Sequence, residues 1–221
     1  MRKGGYSASD LLAGGYARAE MYSAGFRAKE LRAIGFDCAE LSSYGFNATQ
    51  LREAGLSCEE MKAVGFTAVQ LKEGYYSVAA LQAAGFTLVE IKAAGFGAAA
   101  MRAGGVSIAD LVSLEFPIEE LKFIGSKTVE LKSVDCSVAD MLAGGFSVAD
   151  LVAAGYSVAA LREAGRKPPE LRQLGIDVVS LRMGQFSVAE MTAGEVTCRE
   201  LREAGYSVTE MREGDHPNLL V

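Results

Sequence analysis

The chain has no tryptophan, one histidine and four prolines among its 221 residues, and none of its four cysteines stands in a CxxC pair. Its histidine, His216, lies in the tail beside Asp215 and Pro217, so neither a serine-type triad nor a histidine-rich metal site is expected. Long apolar runs are also missing, and the stretches present fall far short of the roughly 20 residues a membrane span requires. Despite 25 glycines, neither GxGxxG nor GxxxxGKS occurs, which removes the usual phosphate cradles. Cys38, Cys58, Cys136 and Cys198 each replace a small or apolar residue, and are expected as reduced, packed thiols. No apolar leader precedes the opening "MRKGGYSASDLL", so a cytoplasmic or organellar-matrix location is expected. A net charge of −6 argues against nucleic acid as a partner. No cofactor, metal or membrane insertion is expected.

What the chain does contain is one phrase, repeated. "FSVADLVAAG", residues 146 to 155, is followed at once by "YSVAALREAG". Numbering each residue by its last digit aligns the sequence without an insertion from Tyr6 to Met211. Position 1 is Leu, Met or Ile in all 21 units, position 6 is Phe or Tyr in 14, and position 5 is Gly in 16. Position 7 is Ser, Thr, Asp or Asn in 15 units, and position 10 is Glu, Asp or Gln in 17. Register this strict is the mark of a repeat array, because an insertion would break the stacking of neighbours.

Helix chemistry accounts for every recurring position of the unit. Ser147 is placed as an N-cap, and Asp150, three residues on, completes a capping box. Phe146 and Leu151 flank that cap as a hydrophobic staple, and Gly155 supplies the left-handed turn that stops the helix. The prolines agree: Pro117 and Pro217 fall on position 7, Pro168 on position 8 and Pro169 on position 9, all at the cap or in the first turn. The competing reading is a pentapeptide-type β-solenoid, with positions 1 and 6 pointing into a square coil. That coil needs a small residue two before each centre, where this chain has Lys29, Glu59, Tyr44 and Leu114.

The expected fold is therefore all-α: a solenoid of about 21 two-turn helices running from position 8 to about position 4, each roughly 10 Å long. Helices that short are unstable alone and must be held by neighbours along a stripe at positions 8, 1 and 4. The array is expected to be continuous over residues 1–214, with 215–221 as a tail or end cap in which Leu219, Leu220 and Val221 could cover one end. Uncovered ends favour end-to-end self-association. The sequence resembles the tandem decapeptide-repeat proteins of microbial genomes, built on units of the type "AGFSVAELR". That resemblance spans the whole array and implies a structural or interaction role, with no catalytic residues to carry over.

Repetition itself argues against an enzyme, since catalysis needs unlike groups converging at one place. Fourteen of the 22 Lys and Arg fall on position 2, beside the acidic position 10. The simplest account of both rows is a solvated face, at about 0.2–1 kcal/mol per exposed pair, and the alternative is a cationic row that binds an acidic protein or polyanion. Departures from the pattern are candidates for partner binding if their side chains are exposed, and otherwise adjust packing where the coil is irregular. They are the aromatics Tyr22, Tyr44, Tyr75 and Phe123, the apolar Val112, Leu142 and Val152 on the cationic position 2, and the pair Arg166 and Lys167 in "GRKPPE". The segment 113–136, which loses its glycines at 115 and 135, is a second place to look for a bend or a partner site.

The function expected is a non-enzymatic scaffold that binds or spaces protein partners, as a component of a larger assembly. The alternative is a β-solenoid that mimics nucleic acid through its shape and negative charge. Far-UV circular dichroism separates the two: the helical array gives double minima near 208 and 222 nm, and a single minimum near 218 nm would remove it.

Overall fold

A computed structural model describes residues 5–193 and 196–215. Within them the chain forms 21 short helices, α1 to α21 in chain order, from α1 (Ala8–Ala13) to α21 (Val208–Asp215), and no strand. The helical reading holds and the β coil is excluded among these residues. Most helices run from position 8 to position 3, six residues, with position 4 as the C-cap, slightly shorter than expected. The last helix continues through Asp215, while His216, Pro217 and the proposed cap Leu219, Leu220 and Val221 lie outside the described residues.

Each unit is closed by local hydrogen bonds. In α15 (Val148–Ala153) the Asp150 N–H donates to Ser147 Oγ at 3.1 Å, and the Ser147 N–H donates back to Asp150 Oδ2 at 3.1 Å. At the other end the Gly155 N–H donates to the Val152 carbonyl at 2.9 Å and the Tyr156 N–H to the Leu151 carbonyl at 3.0 Å. This pair of bonds absorbs carbonyls the helix cannot satisfy itself, and it forces position 5 into the left-handed region. Gly155 has φ 77°, but the requirement is geometric rather than tied to glycine: Tyr75, Glu115, Asp135 and Gln185 take φ of 61°, 56°, 58° and 63°. Where position 7 lacks an acceptor, half of the box survives. The N–H groups of Ala17, Arg27 and Lys127 still donate to Glu20, Glu30 and Glu130.

The chain divides into two compact units, Met1–Ser107 and Ile108–Val221. In both, the most extensive helix contacts join a helix to the one two further along. In the first unit α5 (Ala48–Glu53) packs on α7 (Ala68–Glu73), and α8 (Val78–Ala83) on α10 (Ala98–Ala103). In the second unit α12 (Ile118–Phe123) packs on α14 (Val138–Ala143), and α16 (Val158–Glu163) on α18 (Val178–Met183). Helices thus alternate between two stacks, and one turn of the coil takes two helices, or twenty residues.

Position 1 is the centre of the core: Leu31, Leu81, Met101, Leu151 and Leu181 are all completely buried. Position 6 packs against the preceding turn, and the hydroxyl of a tyrosine there donates to the carbonyl twenty residues earlier. Tyr76 Oη reaches the Leu56 carbonyl at 2.5 Å and Tyr156 Oη the Cys136 carbonyl at 2.9 Å. Burial pushes the Tyr76 hydroxyl up to about 12, so it stays a donor. Position 8 packs under position 4 of the helix two further on, at backbone distance. A Cβ built on Gly74 would lie 2.6 Å from Ala48 Cβ, one on Gly104 2.6 Å from Val78 Cβ, and one on Gly184 2.5 Å from Val158 Cγ1. At Gly144 the obstacle is Ile118.

The cysteines follow these positions, with one correction. Cys38, Cys58 and Cys136 are buried free thiols whose pKa is raised, chiefly by burial, which keeps them protonated. Cys198 is exposed, not packed, because no described helix lies over position 8 of α20 (Cys198–Glu203).

Two glycine experiments test this geometry. Gly144→Ala and Gly184→Ala, which crowd the turn below, should each cost about 1–3 kcal/mol in urea unfolding. Glu115→Gly and Asp135→Gly, which relieve a left-handed residue, should instead stabilise by about 1 kcal/mol or less. Equal responses at both kinds of position would show that the close approach is not real.

Candidate functional site

The rows of charge are not a solvated face. Most position 2 cations within the arrays are half-buried between turns, and lysine and arginine differ there in their usual partner, although Arg182 also donates to the Ala204 carbonyl at 3.1 Å. Lysine caps the helix end above it: Lys62 Nζ donates to the Gly85 carbonyl at 2.6 Å, and Lys132 Nζ to Ala154 and Gly155 at 3.0 and 2.5 Å. The same ammoniums lie over position 6 rings, 4.3 Å from the centre of Phe86 and 5.5 Å from that of Tyr156. A cation at a helix C-terminus and over a ring face is favoured twice. Arginine reaches further, to the capping carboxylate 28 residues on: Arg32 to Glu60 at 2.6 Å and Arg172 to Glu200 at 2.8 Å. The compact ammonium suits a carbonyl end, and the longer planar fork suits a carboxylate. These rows therefore tie one turn to the next, correcting the expectation of mutual screening in solvent.

Off-pattern residues divide by the same geometry. Tyr22 stacks on Tyr44 at 4.7 Å and meets Phe46 edge-on at 5.7 Å, filling a space that elsewhere holds a position 2 cation. Tyr44 is half-buried there, with Tyr22 at its rim. Val112, Leu142 and Val152 are likewise half-buried between turns. Tyr75 and Phe123 are different, at 74% and 90% exposed, and Tyr75 lies 5.9 Å beneath the Arg52 guanidinium. Arg166 is half-buried and Lys167 exposed, side by side at the entry to α17 (Pro168–Gln173).

No one cleft gathers these candidates. Tyr22 lines one, Val112 a second, and Arg166 with Lys167 a third. The clefts are versions of a single feature of the coil: the loop and first turn of one helix face the helix two further on. Their chemistry is set by whichever residues the repeat places at positions 5, 6, 7 and 9. A cleft of about 640 Å³ is walled by Phe116, Pro117 and Ile118 and edged by Glu115, Glu119, Asp135 and Asp140. It falls in the irregular segment 113–136 and extends past its end. The cleft at Arg166, about 610 Å³, carries cations instead. Other exposed apolar residues were not among the sequence candidates: Val89, Val129 and Met183, at 67%, 62% and 79%. They stand on positions 9 and 3, which face outward, so apolar residues at those positions were the available signal.

Nothing in these clefts has the makings of a metal centre: no group of His, Cys, Asp or Glu among the described residues could hold an ion. None of the described helices is long and apolar enough to cross a membrane. The carboxylates of position 10 are held as caps. Asp150 is lowered first by the Ser147 hydroxyl, and Glu90 and Glu200 first by the backbone N–H groups of Thr87 and Thr197.

A family model described as a decapeptide repeat region matches residues 1–58, 55–128 and 115–182. No curated protein and no solved structure matches the chain. After the matched span the pattern continues at Met191, Leu201 and Met211.

The cap carboxylates set a pH dependence. Their folded pKa values lie below the ordinary 3.8 of Asp and 4.5 of Glu, so the stability they contribute is present above those values and is lost as pH falls through the folded ones. Thermal midpoints should be level from neutrality down to about pH 5 and then fall. Glu90→Gln, Glu200→Gln and Glu210→Gln together should flatten that fall, since Gln50 and Gln70 already fill the same place with an uncharged acceptor. An unaltered acid limb would show that the boxes do not carry it.

Proposed function

The chain belongs to the decapeptide repeat family, and on that premise we propose that it is a non-enzymatic scaffold whose turn-by-turn surface binds and spaces protein partners within a larger assembly. The observation that carries this reading is the separation of stability from surface. Positions 1, 6, 8 and 10 are committed to packing and capping, and position 2 to tying turns together. Positions 3 and 9 face outward and vary from unit to unit, and there the chain exposes Phe123, Val129 and Met183. Exposed apolar side chains on a rigid frame are the usual makings of a protein contact. Among the described residues the polar groups of the repeat are held mostly in caps and ties rather than as a set of unlike groups converging on one point, as a reaction requires.

Affinity capture from the native cell with the full chain, set against Tyr75→Glu/Phe123→Glu, tests the reading. The native chain should retain a defined set of proteins in near-stoichiometric amount, and the doubly substituted chain should lose them while its circular dichroism is unchanged. If both chains retain the same proteins in the same amounts, or neither retains any, the scaffold reading fails.

A further inference from the structure

The cleft at Arg166 differs from every other unit of the array in one respect: both position 6 and position 7 are basic. Arg27 and Lys127 are also basic at position 7, but Phe26 and Ser126 precede them. The exchange leaves the frame in place, because the Arg166 N–H still closes the preceding helix on the Leu161 carbonyl at 3.0 Å. What it gives up is local stability. An aromatic is missing from the packed column, and Lys167 provides no side-chain cap to α17. Pro168 and Pro169 at the first two helical positions restrain the entry instead.

What the exchange supplies is a cleft of about 610 Å³ with charge opposite to that of the chain. Arg162, Arg166 and Lys167 line it against one carboxylate, Glu190, in a protein of net charge −6. The existing ion pairs there are long: Arg162 to Glu190 at 3.4 Å and Arg166 to Glu170 at 3.8 Å, against 2.8 Å for Arg172 and Glu200. The Lys167 side chain points to solvent without a cap bond. The remaining wall is apolar, formed by Pro168, Pro169, Phe186, Ala189 and Ala193. Phe186 is itself buried under the Arg162 guanidinium, so such a surface rewards a ligand with carboxylates for the three cations and an apolar side chain for Pro169, Ala189 and Ala193. The volume is that of a pocket for a few residues of chain, not for a helix or a duplex. A long polyanion would also meet the surrounding negative charge, whereas a short acidic segment feels mainly the cleft within a screening length of about 8 Å.

We propose that this cleft binds an extended acidic segment of a partner protein, with its carboxylates on Arg162, Arg166 and Lys167 and an apolar side chain against Pro169, Ala189 and Ala193. The proposal rests on the scaffold reading and gives one of its contacts a chemistry.

Fluorescence anisotropy of the full chain with a fluorescein-labelled octapeptide alternating Glu with Leu and Phe tests it. The comparison variant, Arg166→Phe/Lys167→Ser, restores the aromatic and hydroxyl that most units carry at positions 6 and 7, so it should fold at least as well by circular dichroism. The expected result is saturable binding that weakens with added salt and falls at least tenfold in the variant. The same peptide with Lys in place of Glu should not bind. A second variant, Arg166→Glu/Lys167→Glu, should also abolish binding. Equal affinity in native chain and variants, equal binding of the Lys peptide, full displacement by millimolar inorganic phosphate, or tighter binding of a single-stranded oligonucleotide would each overturn the proposal. Any of those results leaves the capture experiment on Tyr75 and Phe123 untouched, so the two readings fail separately.

Discussion

One backbone hydrogen bond governs this fold: the N–H of position 6 donating to the carbonyl of position 1. It can form only if position 5 is left-handed, and when it forms it ends the helix after six residues and turns the aromatic of position 6 back over the core. The next N-cap follows at once. A helix of that length has no stability of its own, so stopping it obliges the chain to stack. Tyr75, Glu115, Asp135 and Gln185 make the priority visible, since the chain takes the left-handed turn there without the residue that takes it most easily.

The bonds between turns are equally regular. Position 6 hydroxyls reach back 20 residues, position 2 lysines reach forward 22 or 23, and position 2 arginines forward 28 to a carboxylate, Arg182 also reaching a carbonyl 22 on. Each is modest alone, and the partly exposed ion pairs contribute about 0.2–1 kcal/mol apiece. Repeated along a stack they fix the register that leaves positions 3 and 9 outside. The clefts between turns then occupy equivalent places in the coil with different linings, acidic at Glu115 and Asp135, basic at Arg166 and Lys167. A surface of this kind can vary its chemistry without altering its frame.

Helix type, the capping boxes, the stops and the burial of positions 1 and 8 were legible because each is written within ten residues. The layout of the coil was not. Contacts 20 to 28 residues apart leave the same ten-residue pattern whether two helices or three complete a turn. The position 2 residues were left open for that reason: Leu142 and Val152, readable either as a docking surface or as packing, are half-buried, and Lys62 and Lys132 cap helix ends. Gly74, Gly104, Gly144 and Gly184 gave no reason for themselves until position 4 met position 8 of the turn below. Phe123, Tyr75 and Lys167 emerged on the outside, where an irregularity in the phrase could be noticed but not located. Ser126 has no account at all: its hydroxyl is buried in the aromatic column without a partner.

Because successive helices alternate between two stacks, the array has a parity. Inserting one ten-residue unit inside either compact unit would transfer every helix after it, within that unit, to the opposite stack, carrying its outward residues to the other side of the coil. Inserting two would restore the original side and merely lengthen the ladder. Duplication in pairs therefore preserves which side chains share a face, while a single gain or loss reshuffles the surface and leaves the core phrase intact.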